Sequence, residues 1–435
     1  MSHLRVVPGG ALTGEIRVPG DKSMSHRSVM FGSLAQGQTR VSGFLEGEDA
    51  LATVAAFRAM GIAIEGPENG QLVIEGKGLK GLSAPKTVLD MGNSGTSMRL
   101  LAGILAGQPF DTTLTGDQSL LKRPMERVIT PLSHMGALID AEEAGRPPLR
   151  INGRRSLVGI HYDLPMASAQ VKSSVLLAGL FASGKTSVTE PAPTRDHTER
   201  MLRGFGCPVS VTDGVISLEG GSALHGTDID IPADISSAAF FLVGASIAPG
   251  SDLLLRHVGM NPTRVGVINI LRLMGASIEV VESREVGGEP VADLRVRYAP
   301  LKGITIPENQ VPLAIDEFPA LFIAAACAEG TTVLTGAEEL RVKESDRIAS
   351  MAEGLTTLGI ANEPRADGIA IEGGTLTGGT VRTFHDHRIA MSFAMAGLRA
   401  NGPIEILECD HVSTSFPGFA PLAQSVGLRL EERAG

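Results

Sequence analysis

One structural phrase recurs six times along this chain, and that repetition restricts the fold more than any other feature. An Ala-, Gly- and Leu-rich segment at helical spacing runs into a glycine and then a short β-branched run. The copies are HRSVMFGSLAQG, TSMRLLAGILAG, VKSSVLLAGLFASG, SSAAFFLVGASIAPG, FPALFIAAACAEG and RIAMSFAMAGLRANG, ending at Gly37, Gly107, Gly184, Gly250, Gly330 and Gly402. Successive end points lie 66 to 80 residues apart. A second helix-spaced segment, more often amphipathic, follows each β-run and closes on another glycine before a further strand. Examples are ATVAAFRAMG-IAIEG, ERVITPLSHMG-ALIDA and VINILRLMG-ASIEV. Apolar positions three and four apart mark helices, and β-branched runs mark strands. The closing glycine fits a left-handed helix cap. One unit reads β-α-β-α-β-β, so the fold class is α/β. Six units with unequal linkers predict two domains of three, with Pro232 in DIDIPADISSAAF as the hinge between the third and fourth.

A length of 435 residues fits two or three domains, and 43% apolar residues supply their cores. The net charge of −10 argues against a general nucleic-acid or membrane partner. An anionic ligand then needs a local basic cluster. The opening MSHLRVVPGG has no apolar signal core, and the apolar stretch from Phe318 to Ala328 is too short to span a bilayer. Cys207, Cys327 and Cys409 define neither a disulfide framework nor a zinc spacing. The expectation is a cytoplasmic monomer acting on small anionic molecules.

The start of each first helix carries polar residues. They are Asp21-Lys22-Ser23 ahead of His26-Arg27, Asn93-Ser94-Gly95-Thr96, Ser168-Ala169-Gln170, Asp234-Ile235-Ser236, Asp316-Glu317, and His385-Asp386-His387-Arg388. Ser, Asp and Asn there are ordinary caps. Helix N-termini also bind phosphate and carboxylate. Lys22, Arg27 and Arg388 have the wrong sign to cap a dipole, which points to an anion that joins them. A second cationic set falls at the second helices: Lys122-Arg123, Arg195, Arg264, and Arg341 to Arg347. Within KESDR, Lys343 and Arg347 are four apart and are expected to share a helix face. If the helix starts of both domains face one cleft, these cations converge on doubly anionic ligands. Gly179 to Thr186, GLFASGKT, matches a phosphate-loop pattern, but a helix is predicted before it and a strand after it, the reverse of what that loop requires. His385-Asp386-His387 lacks further ligands at metal spacing, so capping is expected there.

These residues resemble the EPSP synthase family along nearly the whole chain. The matching segments are PGDKSMSHR, GNSGTSMR, LKRPM, PMASAQVKS, TRDHTE, IDEFP, RVKESDR, DHRIAM and TSFPGF, and SAQ with TRDHTE is similar to the class II branch. The resemblance implies an inside-out fold of two domains, 1–20 with 231–435 and 21–230, that close over their ligands. It implies that Lys22, Ser23, Arg27, Ser168, Ala169, Gln170, Arg195, Asp316 and Lys343 hold shikimate 3-phosphate. Lys22, Gly95, Arg123, Gln170, Arg347 and Arg388 would surround phosphoenolpyruvate, where glyphosate competes. Asp316 would take the hydroxyl proton, and Glu344 or Lys22 would serve the methylene carbon, with no metal or organic cofactor. Where class I members have a lysine before Thr-Phe-Pro, this chain has Thr414. Two other readings stand beside this one. A UDP-N-acetylglucosamine enolpyruvyl transferase typically carries a reactive cysteine in the loop matching Thr115 to Pro124, which has none here. A non-catalytic anion-binding repeat protein would lack Asp316, Glu344 or Lys22.

Overall fold

The computed structural model describes residues 2–153 and 156–434. Among the described residues, five of the six sheets follow one strand order. A short strand lies parallel to the strand that follows the first helix, which pairs antiparallel with the last strand of the unit. The remaining strand lies outermost. Leu89–Asp90, Thr112–Thr115, Arg146–Asn152 and Leu138–Glu142 show this order. The sheet of Thr331–Leu334, Gly368–Glu372 and Asn362–Arg365 is three-stranded, with only the isolated parallel bridges Lys302–Glu329 and Thr305–Val333 where the short strand would lie. The register repeats as well: Thr39 faces Ile74, Thr112 faces Ile151, Thr186 faces Leu218, Leu253 faces Val296 and Thr332 faces Ile371. Where the short strand directly precedes its parallel neighbour, as at Leu89–Asp90, His161–Asp163 and Gly379–Arg382, the first helix of the unit supplies the crossover that a parallel pair needs.

The sixth sheet departs in one instructive way. Strand Ile404–Leu407 pairs with Ser2–Val6, and Ser2–Val6 pairs in turn with Leu430–Ala434. The first residues of the chain therefore fill the central place that a later strand fills in the other sheets.

The chain separates into two compact units, Met1–Pro19 with Pro232–Gly435, and Gly20–Ile231. Gly20–Ile231 holds α1 (Lys22–Leu34), α2 (Glu48–Ala59), α3 (Gly95–Ala106), α4 (Glu126–His134), α5 (Ala169–Gly179) and α6 (His197–Gly204). Its last strands, Leu224–His225 and Asp228–Asp230, return to lie parallel to Ala35–Ser42, so its three sheets close within the unit. The other unit holds α7 (Ile235–Ile247), α8 (Gly266–Leu273), α9 (Phe318–Ala326), α10 (Arg347–Thr357), α11 (His387–Ala396) and α12 (Phe419–Ser425). Each unit has its own apolar core.

Burial explains why the two helices of a unit read differently in sequence. Every residue of α7 and of α9 is buried, so neither needs a polar face. In one unit α7, α9 and α11 pack on each other, with the sheets outside them. In the other, α3 and α5 approach closely at Gly103, where a Cβ would lie 2.2 Å from the Ser174 carbonyl oxygen. The second helices pack one face only. Their closing glycines, Gly61, Gly136, Gly206, Gly275, Gly359 and Gly427, all have left-handed φ, between +82° and +117°. The GLFASGKT segment runs from the end of α5 into strand Lys185–Thr189, so it forms no phosphate loop. The three cysteines are unbridged. Among the described residues no helix is long and apolar enough to cross a membrane.

Candidate active site

Within Gly20–Ile231 the polar residues gather at the N-termini of α1, α3 and α5. Asp21 caps α1, accepting from the Met24 amide at 2.8 Å. Lys22, the first helical residue, reaches back to Asp49 of α2 as an ion pair. Arg27 lies one turn further in and is buried, not at the helix end where the sequence suggested it. It donates to three neutral oxygens: Thr198 Oγ1 at 2.7 Å, Ser173 Oγ at 2.9 Å and the Ser23 carbonyl at 2.9 Å. These three bonds aim the guanidinium.

Ser94 caps α3, and Gly95 is its first residue. Arg123 precedes α4, in the turn after a 3₁₀ segment at Leu120–Lys122, so it belongs to a loop and not to the helix. It donates to Asn93 Oδ1 at 2.7 Å, the Asn93 carbonyl at 3.3 Å and Ser119 Oγ at 3.2 Å. Ser168 caps α5, followed by Ala169. Gln170 ties the two helix starts together: its amide donates to Thr96 Oγ1 at 2.9 Å and its carbonyl accepts from Arg99 Nη1 at 2.6 Å. A Cβ on Gly95 would lie 2.8 Å from Arg99 Nη1 and 3.2 Å from Arg123 Nη1. Two guanidiniums thus flank the opening of α3. Arg99 was not among the residues singled out from sequence. The i,i+4 spacing from Gly95 was the available signal.

The other unit has an acidic residue at the cap of α7, α9 and α11, whereas among the first helices of Gly20–Ile231 only α1 does, at Asp21. Asp234, Glu317 and Asp386 occupy the caps of α7, α9 and α11, against the neutral Ser94 and Ser168 of α3 and α5. Arg347, the first residue of α10, is buried among carboxylates. Its Nε is 2.8 Å from Asp386 Oδ2, Nη1 is 3.2 Å from Asp316, and Nη2 is 2.6 Å from Glu344 and 3.5 Å from Asp386 Oδ1. Four of the five guanidinium N–H groups are engaged, which leaves one on Nη1. Burial alone would depress this guanidinium, but Asp386, Glu344 and Asp316 hold it above the ordinary arginine value. Burial likewise pushes Asp386 up, and the charges of Arg347 and His387 outweigh it, leaving the carboxyl below the usual range.

Lys343 Nζ lies 3.6 Å from Asp316 and 3.7 Å from Glu339. It precedes α10, after the 3₁₀ segment Glu338–Val342, so Lys343 and Arg347 do not share a helix face. They meet on Asp316 instead. Arg388 donates its amide to Asp386 Oδ1 at 2.9 Å, while its guanidinium makes no ion pair among the described residues. Asp386 is a cap, as its position suggested. Thr414 is buried and bonds the His411 carbonyl at 2.7 Å.

The sequence also hid the partners of these groups. Asp49 for Lys22 and Asp386 for Arg347 come from other helices, and spacing along the chain carries no trace of such pairs. A second buried link joins α1, α2 and α3: His26 Nδ1 lies 2.8 Å from Thr53 Oγ1, which lies 2.8 Å from Ser97 Oγ, itself 2.7 Å from Ser94 Oγ. Burial first, then the charges of Lys22 and Arg27, hold His26 well below the ordinary imidazole value.

Six α/β units in two groups of three, with cations and carboxylates at their helix starts, define the enolpyruvyl transferase type of fold. The family model for EPSP synthase (3-phosphoshikimate 1-carboxyvinyltransferase) matches residues 6–422, and the chain belongs to that family. It is 68% identical over 424 residues to the 3-phosphoshikimate 1-carboxyvinyltransferase of Methylococcus capsulatus, covering 98% of this chain and 97% of that one. The same-named protein of Halorhodospira halophila is 67% identical over 428 residues, covering 98% and 96%. Among solved structures, an EPSP synthase from Acinetobacter baumannii is similar over the full length of both chains, with a TM-score of 0.90 and 60% identity. The enolpyruvyl transferase NikO from Streptomyces tendae, at 16% identity and a TM-score of 0.79 over 100% of this chain and 99% of that one, shares the fold.

Proposed function

We infer that this chain transfers the enolpyruvyl group of phosphoenolpyruvate to the 5-hydroxyl of shikimate 3-phosphate, releasing phosphate. The family membership supports the reaction. The observation that supports the residue assignment is the contrast in charge at the helix starts. Neutral caps on α3 and α5 leave the positive ends of two helices in the unit that also carries Arg27, Arg99 and Arg123, with Arg99 and Arg123 at the start of α3. Such a place favours phosphate and carboxylate.

Arg123 and Arg388 take the phosphate and carboxylate of phosphoenolpyruvate, with Gly95 allowing close approach and Gln170 and Lys22 beside it. Arg347 contributes its remaining N–H, so its principal work is to orient Asp316 and Glu344. Ser23, Arg27, Ser168, Ala169, Gln170, Arg195 and Lys343 hold shikimate 3-phosphate. Asp316 accepts the proton of the 5-hydroxyl as its oxygen bonds to C2 of phosphoenolpyruvate, while Glu344 or Lys22 protonates C3. The tetrahedral adduct then loses phosphate from C2 and a proton from C3, giving the enol ether. The enzyme is a cytoplasmic monomer that needs no metal or organic cofactor, and glyphosate inhibits it at the phosphoenolpyruvate site.

Mass spectrometry of the reaction mixture tests this assignment. 5-Enolpyruvylshikimate 3-phosphate must accumulate from the two substrates. Its absence, or an enolpyruvyl sugar nucleotide formed when UDP-N-acetylglucosamine is supplied, contradicts it.

A further inference from the structure

Three buried charges in Gly20–Ile231 lie outside the residues assigned so far. Lys172 on α5 is 1% exposed, and its Nζ lies 2.8 Å from Glu190 and 2.8 Å from Glu199. Glu190 follows strand Lys185–Thr189, and Glu199 lies in the first turn of α6. Between them runs Pro191–Asp196, the segment that carries Arg195. Thr194 in that segment donates its hydroxyl to the second oxygen of Glu190. One buried ammonium thus fastens both ends of the Arg195 segment to α5. The adjacent residues serve Arg27. Ser173 follows Lys172, Thr198 precedes Glu199, their hydroxyls lie 2.7 Å apart, and Arg27 donates to both.

Stability does not account for this triad. Desolvating three charges costs about as much as their attraction returns, and apolar residues of similar volume pack as well or better. The second oxygen of Glu199 is buried without a hydrogen-bond partner among the described residues, a further cost. What the triad supplies is geometry, because an ion pair in a dry interior holds a loop end in one place.

We propose that Lys172, Glu190 and Glu199 are positioning residues that fix Arg195 and Arg27 for the phosphate of shikimate 3-phosphate, an inference that rests on the site assignment above. The test measures shikimate 3-phosphate affinity by titration calorimetry, together with kcat and the KM for phosphoenolpyruvate at saturating acceptor. Lys172→Met, and Glu190→Gln in case the first variant does not fold, should each weaken shikimate 3-phosphate by about tenfold or more, the scale of a displaced binding group. Both kcat and the KM for phosphoenolpyruvate should stay near wild type, and Lys172→Arg should recover part of the affinity. Normal shikimate 3-phosphate affinity in folded variants overturns the inference. So does a uniform loss of all three parameters together with a lower Tm, which marks a merely structural triad. Arg195→Ala is the control. If it leaves the affinity unchanged, the site assignment fails and the inference with it; if it weakens binding while the Lys172 and Glu190 variants bind normally, the positioning role alone fails.

Discussion

Gly95 begins α3 without a left-handed φ, so an alanine there meets no backbone strain. What it meets is the end of the Arg99 side chain at 2.8 Å and that of Arg123 at 3.2 Å. Both are flexible and can yield, so Gly95→Ala should keep its Tm while displacing the two guanidiniums that border the α3 N-terminus. We expect a higher KM for phosphoenolpyruvate and a weaker response to glyphosate, read from steady-state kinetics. A fall in Tm with unchanged inhibition would mean the glycine serves only the turn. The carboxylates obey a different logic. Asp316 and Glu344 both touch Arg347, and neither caps a helix. Asp316→Asn and Glu344→Gln preserve shape and remove the titrating group. Each should slow single-turnover phosphate release by about 10²-fold or more, the usual scale for a general acid or base. Near-normal rates in both would remove them from the proton transfers.

At the scale of elements, Arg347 ties the start of α10 to the cap of α11. Removing a buried pair's cation strands the carboxylate, so Arg347→Met should cost about 3–5 kcal/mol in urea unfolding near neutral pH. The signs of the titrations follow from the same burial. Asp386 is held below its unfolded value, so its contribution is full above the ordinary carboxyl range and fades as pH falls through the folded value. His26 is also lowered, from an ordinary value of 6.5, and for an imidazole this means the unfolded chain takes up the proton first. Stability is therefore complete above that value and declines as pH drops below it. His26→Asn should flatten the decline between about pH 7 and pH 5, and a slope identical to wild type would put the proton elsewhere. The helices themselves were legible in the sequence because burial left its mark on composition, as in the wholly buried α7, where small and apolar residues leave no charged face. The six left-handed glycines were legible for a similar reason, since few residues tolerate that conformation. Lys343 was misplaced onto a helix face because the 3₁₀ turn before it carries no periodic signal of its own.

For the whole molecule, the central place of Ser2–Val6 in the sixth sheet decides which pieces fold. A fragment of residues 20–231 contains three complete sheets and should melt cooperatively by itself. A fragment of residues 232–435 lacks the strand between Ile404–Leu407 and Leu430–Ala434 and should not, unless residues 1–19 are supplied. Circular dichroism melts of the fragments, alone and mixed, check both statements. No local pattern revealed that central role, since a five-residue edge strand and a five-residue central strand read alike. The site was legible as motifs whose residues lie far apart in the chain, whereas the pairs Arg99 with Gln170 and Arg347 with Asp386 exist only after folding. The reaction itself is tested most directly by following phosphate release from phosphoenolpyruvate with each acceptor in turn. The account predicts release that requires shikimate 3-phosphate and persists in EDTA. Release driven instead by UDP-N-acetylglucosamine, or abolished by EDTA, would contradict it.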